Sequence, residues 1–158
     1  MNSTATFDQV THKFHFSATF FIKNGSHSTI HTFKNYLMKP PILVPPVPKR
    51  PLLLYLTTMD IAMGALLAQY LEETRKENAI YYINKKMLPY EEKYSPLKKT
   101  CVALVWATRK LTHYMLAYKV LLIARMDPLK YLMEKPVQDG KTAKWVLLLS
   151  EFDIKYVT

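Results

Sequence analysis

The sequence predicts one α/β domain on a mixed sheet, with elements in the order β-β-β-α-β-α-α-β behind an irregular N-terminal extension. Three observations lead there. Apolar or alternating segments follow one another closely between Leu52 and Met87, the spacing of an antiparallel meander. A stripe of apolar residues at helical spacing then runs from Leu97 to Met115. A fourth apolar run, KVLLIARM, follows, so the helix makes a crossover back to the sheet.

Each element has its own local reason. Residues 1–29 are polar, rich in Ser and Thr and without helical period, and are expected to be a poorly ordered extension. Ile30, Phe33, Tyr36 and Leu37 fall at helical spacing and suggest a short helix. Prolines recur from Pro40 to Pro51; they can neither continue a helix nor donate to a central sheet, so residues 30–51 read as a short helix and a semi-rigid extended linker. The domain proper is expected over 52–158. LLLYL is a continuous apolar run, as in a strand covered on both faces. AMGALLAQYL reads as a second strand after a bend at Gly64, EETRKEN as a charged turn, and AIYYINKKM as a third strand.

The most secure element is the helix of SPLKKTCVALVWATRKLTHYML. Ser95 suits the N-cap and Pro96 the first helical position, while Leu97, Cys101, Leu104, Val105, Thr108, Leu111 and Met115 make one apolar stripe. Lys98 and Lys99 in its first turn have the wrong sign for the helix dipole. KVLLIARM reads as the fourth strand. DPLKYLMEK reads as a short helix capped by Asp127, VQDGK as a turn, TAKWVLLLSEF as another helix, and FDIKYVT as a last strand ending at the terminus.

Composition excludes several classes. No apolar run approaches the roughly 20 residues of a membrane span, and the first residues do not read as a secretory signal, so a membrane partner or secretion is not expected and an intracellular location, in cytoplasm or nucleus, is. A lone cysteine, Cys101, permits no internal disulfide and reads as a buried small hydrophobe. The net charge of +10 divides evenly, six basic against one acidic residue in 1–50 and sixteen against eleven thereafter. Such a surface favours polyanions, nucleic acid above all, although a basic tail with a solvated helix face gives the same total. Phosphate-binding glycine loops, G-x-S-x-G, a Cys/His nucleophile pair and the Y-x-D-D turn of polymerases are absent. His12, His15, His27 and His31 lack thiolate partners for zinc. Tyr81, Tyr82, Trp106 and Trp145 read as packing residues rather than base-stacking platforms.

The segment IHTFKNYLMKPPILVPPVPKRPLLLYL resembles the junction between reverse transcriptase and RNase H in Ty3/gypsy-type retrotransposon polyproteins. AIYYINKKMLPYEEKYSPLKKTCVALVWATRKLTHYM resembles their third strand and long helix, and KVLLIARMDPLKYL their fourth strand and following turn. The resemblance covers about residues 30–158 and implies an RNase H-like fold, truncated at the C-terminus. Active members hydrolyse the RNA strand of an RNA–DNA hybrid with acidic side chains holding two Mg²⁺ ions, which need hard oxygen ligands.

Carried onto this chain, the family motifs meet other residues. The motif D-A-S-x-x-A-x-G-A-V-L-x-Q fits Ala62, Gly64, Ala65, Leu67 and Gln69, which puts Thr57 at its aspartate. E-K-E-L-L-A puts Thr100 at the metal-binding glutamate, and T-D-H-x-P-L-x-Y-L puts Arg125 at its aspartate. A fourth acid of such enzymes would fall beyond Thr158. Neither hydroxyls nor a guanidinium replace carboxylates around Mg²⁺, so no catalytic residue, metal or cofactor is expected.

The resemblance extends to degenerate connection, or tether, domains that bridge polymerase and nuclease and help hold the template–primer duplex. The expected partners are therefore an RNA–DNA hybrid or other nucleic-acid backbone and the polymerase domain of a parent polyprotein. Lys98, Lys99, Arg109, Lys110 and His113 are the candidate backbone contacts; cations near the end of the helix equally complement its dipole. Two other readings stand beside this one. Asp60, Asp127 and Asp153 could form a displaced metal site for a ribonuclease H, against plainer roles as a bend residue, a helix cap and a strand-edge charge. The chain could also derive from a decayed insertion with no selected role.

Overall fold

The computed structural model describes residues 43–134 and 140–157. The readings for residues 1–29, the helix at 30–38, the four N-terminal histidines and residues 137–139 of the expected turn lie outside them. In chain order the elements are β1 (Leu52–Thr58), β2 (Ala62–Leu71), β3 (Lys76–Lys86), α1 (Pro89–Glu92), α2 (Pro96–Lys110), α3 (Thr112–Ala117), β4 (Val120–Ile123), α4 (Pro128–Glu134), α5 (Gly140–Leu149) and β5 (Ile154–Val157). The strands form one sheet in the order β3-β2-β1-β4-β5, antiparallel from β3 to β1 and parallel from β1 to β5. The mixed α/β architecture and strand sequence follow the expected order, with two added helical segments.

The central strand β1 is apolar at nearly every position because neighbours flank it on both edges. Leu52, Leu54 and Leu56 are buried with Ala65 and Leu67 of β2, Val120 and Leu122 of β4, and Cys101, Leu104, Val105 and Ala107 of α2. Burying each large aliphatic side chain contributes about 1.5–3 kcal/mol. The stripe read from the sequence is thus the face that α2 lays on the sheet. Ser95 caps α2, its Oγ accepting from the Lys98 backbone N–H at 3.3 Å, with Pro96 in the first turn. Cys101 is buried and reduced.

The helix expected to run on through Met115 instead breaks at Leu111, which leaves helical geometry at φ −111° and ψ 24°. The Thr112 hydroxyl donates to the carbonyls of Thr108 (2.7 Å) and Arg109 (3.0 Å). A side-chain donor that satisfies carbonyls from within a helix bends or ends it. The apolar stripe continues across the break, since Leu111 and Met115 are both buried.

The bend after β1 lies at Asp60 and Ile61, not at Gly64. Gly64 is inside β2, paired with Thr57 on one side and Asn84 on the other. The Met59 N–H donating to the Ala62 carbonyl at 2.8 Å closes the bend. The charged turn is shorter than expected: residues 72–75 connect β2 to β3, with Arg75 at φ 52°.

The latter half of the proline-rich stretch lies against the sheet, and the compact unit begins at Leu43. The Val44 N–H donates to Ala79 on edge strand β3 at 3.0 Å. Gln69, only 1% exposed, accepts from the Val47 N–H at 2.7 Å and donates to the carbonyls of Val47 (2.9 Å) and Arg50 (3.2 Å). A buried amide satisfied in this way removes an otherwise large desolvation cost. It holds a turn in which Lys49 has φ 65°, and the Arg50 guanidinium pairs with both carboxylate oxygens of Glu73.

Candidate functional site

One end of the sheet collects Thr57, Thr100 and Arg125, the positions onto which the sequence resemblance carries the family's acids. The β1–β4 register pairs Leu52 with Val120 and Tyr55 with Ile123; two residues further along each chain, Thr57 comes level with Arg125. The N-terminal part of α2 meets the same end. Lys99, 9% exposed, donates from Nζ to the Asp60 carbonyl in the β1–β2 bend at 3.1 Å. Two residues on, the Cys101 thiol lies 3.8 Å from the Pro128 carbonyl at the start of α4. Thr100 is buried between these contacts, and its hydroxyl donates back to the Pro96 carbonyl at 3.0 Å. Thr57 is half-buried opposite Gly64, while Arg125 is exposed beyond β4.

The three displaced-acid candidates do not come together. Asp60 is exposed in the bend, its carbonyl engaged by Lys99. Asp127 Oδ1 accepts from the backbone N–H groups of Leu129 (3.0 Å) and Lys130 (3.1 Å), so this carboxylate caps α4. Asp153 precedes β5, and its carbonyl accepts from the Val120 N–H at 2.8 Å. That places it at the start of the parallel strands, the end opposite Thr57 and Arg125. Six residues of strand separate the two levels, roughly 20 Å at about 3.3 Å per residue. Among the described residues, no group of three His, Cys, Asp or Glu side chains is close enough to hold a metal ion.

The basic candidates divide. Lys99 is turned inward to Asp60 and is not offered to a partner, a correction to its reading as a backbone contact. The sequence conceals this contact, because the receiving carbonyl comes from a distant bend. Lys98, half-buried, lies over the Tyr94 ring, 4.2 Å from its centroid. Arg109, Lys110 and His113 are exposed, and among the described residues no carboxylate pairs with any of them. Beside them α1, α2, α5 and the end of β3 enclose a groove of about 370 Å³. Sequence reasoning missed Tyr90, Tyr94 and Lys141, which also line it; they are distant in sequence and their convergence depends on how α5 folds back on α2. Trp145 is buried, as expected of a packing residue, and Trp106 is half-buried. Tyr81 packs against Tyr114, ring centroids 6.3 Å apart.

A sheet in the order β3-β2-β1-β4-β5, with a long helix crossing from β3 to β4 and its N-terminus at the carboxyl end of β1, defines the RNase H-like class. Residues 47–152 match the family described as the RNase H-like domain found in reverse transcriptase, and the chain belongs to that family. It is similar to a retrovirus-related Pol polyprotein from transposon 297 of Drosophila melanogaster, 29% identical over 122 residues, 77% of this chain and 11% of that polyprotein. Its fold is also similar to that of part of foamy viral protease–reverse transcriptase. The structure of the dRH form of that protein with double-stranded DNA gives a TM-score of 0.60 at 16% identity, over 81% of this chain and 23% of that one. The structure with an RNA/DNA hybrid gives 0.56 at 18%, over 85% and 19%. The chain therefore spans a small part of the proteins it resembles.

Proposed function

We propose that this chain is a non-catalytic connection module of a retrotransposon reverse transcriptase, one that contacts the backbone of the template–primer without cutting it. The observation that carries this reading is the donor chemistry at the carboxyl end of β1 and β4. Two hydroxyls and a guanidinium stand where the family's carboxylates would hold Mg²⁺. One of the hydroxyls, on Thr100, is committed to the Pro96 carbonyl. A pair of divalent cations requires anionic oxygens, and a guanidinium stays protonated and repels them. These residues do not fit the metal pair. The complexes that foamy viral protease–reverse transcriptase forms with double-stranded DNA and an RNA/DNA hybrid support nucleic acid as the partner. So do the exposed cations on α2. The polymerase domain of a parent polyprotein is the second partner proposed.

The competing reading, a ribonuclease H that works through displaced acids, has Asp60 and Asp127 at the appropriate end. It loses Asp153 to the far end and the first oxygen of Asp127 to a helix cap. A labelled RNA–DNA hybrid incubated with the purified chain and millimolar Mg²⁺ or Mn²⁺ separates the two. The connection reading expects retention of the hybrid without cleavage. Cleavage that Asp60→Asn or Asp127→Asn abolishes would establish the ribonuclease instead.

A further inference from the structure

We infer that the groove between α1, α2 and α5 is a binding site for single-stranded nucleic acid, taking an unstacked base and its flanking phosphates. This deepens the proposed contact with nucleic acid and rests on that reading. Two features of the groove bear on its occupant. The first is charge. Lys85, Arg109, Lys110 and Lys141 line it with one carboxylate, Glu91, so the groove is net positive by three. Glu91 is 3% exposed and already committed: it pairs with Lys85 at 3.6 Å and accepts from the Leu88 N–H at 3.1 Å. The remaining three cations are exposed without a carboxylate of their own among the described residues, and an anionic ligand complements them.

The second is the aromatic wall. Tyr90, 52% exposed, and Tyr94 meet edge to face with centroids 6.0 Å apart, and Trp106 lies along the α2 side. Lys141 spans this wall: it donates to the Tyr94 hydroxyl at 2.9 Å and sits 4.9 Å from the Tyr90 centroid. The hydroxyl accepting its hydrogen bond raises the Lys141 pKa, so the amine stays charged at neutral pH. Lys98 already lies over Tyr94, 4.2 Å from its centroid, so the exposed Tyr90 is the ring offered to a base; an aromatic face beside cations is what single strands use, since every base has a π face and every linkage a phosphate. A duplex keeps its bases stacked and cannot fill such a groove. A volume of about 370 Å³ lies within the usual range for small-ligand pockets and suits one nucleotide.

Titrating the chain with fluorescently labelled oligo(dT) and oligo(U), and in parallel with a blunt duplex of the same length, tests this. Both single strands are expected to bind. Tyr90→Ala and Arg109→Ala, both at exposed positions, are each expected to weaken single-strand binding about tenfold, a typical loss for one stacking or phosphate contact, with Tyr90→Ala leaving duplex binding unchanged. Circular dichroism of the variants checks that they fold. A chain that binds the duplex but neither single strand, or single-strand binding that survives Tyr90→Ala and Arg109→Ala together, overturns the groove and leaves the connection reading standing. A chain that binds neither duplex nor single strand overturns both.

Discussion

At the residue scale, the carboxyl end of β1 and β4 is a place where side chains have other employment. Thr100 turns its hydroxyl back to Pro96, Lys99 reaches to the Asp60 carbonyl, and Asp127 closes the first turn of α4. The last of these gives a direct expectation. Asp127→Ala removes the capping acceptor and should cost about 1 kcal/mol in urea denaturation, with hybrid retention unchanged; loss of a metal-dependent activity in that variant would contradict the account. Asp127 as a cap was legible from Asp-Pro at a helix start. Lys99 was not, because an inward hydrogen bond to a carbonyl 39 residues away leaves no periodic trace.

At the scale of elements, the strap from Leu43 to Pro51 behaves as part of the domain. Its polar backbone is satisfied by Gln69, a residue that the family motif marks but whose task the sequence does not state. Gln69→Leu should leave Val47 and Arg50 backbone groups without partners and destabilise the domain by about 1–3 kcal/mol, with earlier proteolysis between Val47 and Pro51. The Arg50 hydrogen bonds hold the Glu73 carboxyl down to about 2 from 4.5, aided by the backbone N–H of Glu73 itself. A depressed carboxylate contributes stability that is fully present above its unfolded pKa and lost as pH falls through its folded value. The ion pair therefore holds at neutral pH and releases between about pH 4.5 and pH 2; carbon-detected titration of Glu73 should find its midpoint near the lower value, and Arg50→Ala should return it toward the upper. Strand identities and the cap of α2 were readable because pattern and cap residues agree. The bend at Asp60 and the break at Leu111 were not. Gly64 is a conspicuous turn signal that the sheet instead places inside a strand opposite Thr57, and Thr112 ends the helix by hydrogen bonding rather than by propensity.

At the scale of the whole molecule, the five-stranded sheet with α2 across it was legible from order and periodicity, while the groove needed α1 and α5 brought beside α2. Charge alone spoke for polyanions but could not say which cations face a partner. Lys98, over the Tyr94 ring, and the exposed Arg109 and Lys110 are the set that α2 offers. Three phosphate contacts should make the duplex affinity fall with a log–log salt slope of roughly −3, at about 0.9 per contact. A slope near zero would mean that these cations meet no backbone. Manganese titration followed by electron paramagnetic resonance, with the chain at millimolar metal, asks whether this end of the sheet holds a divalent ion. The free-ion signal should persist undiminished, in the wild type and in Asp60→Asn alike. Stoichiometric loss of that signal in the wild type, restored by Asp60→Asn, would show a metal held beside Thr57 and Arg125 and would contradict the non-catalytic reading.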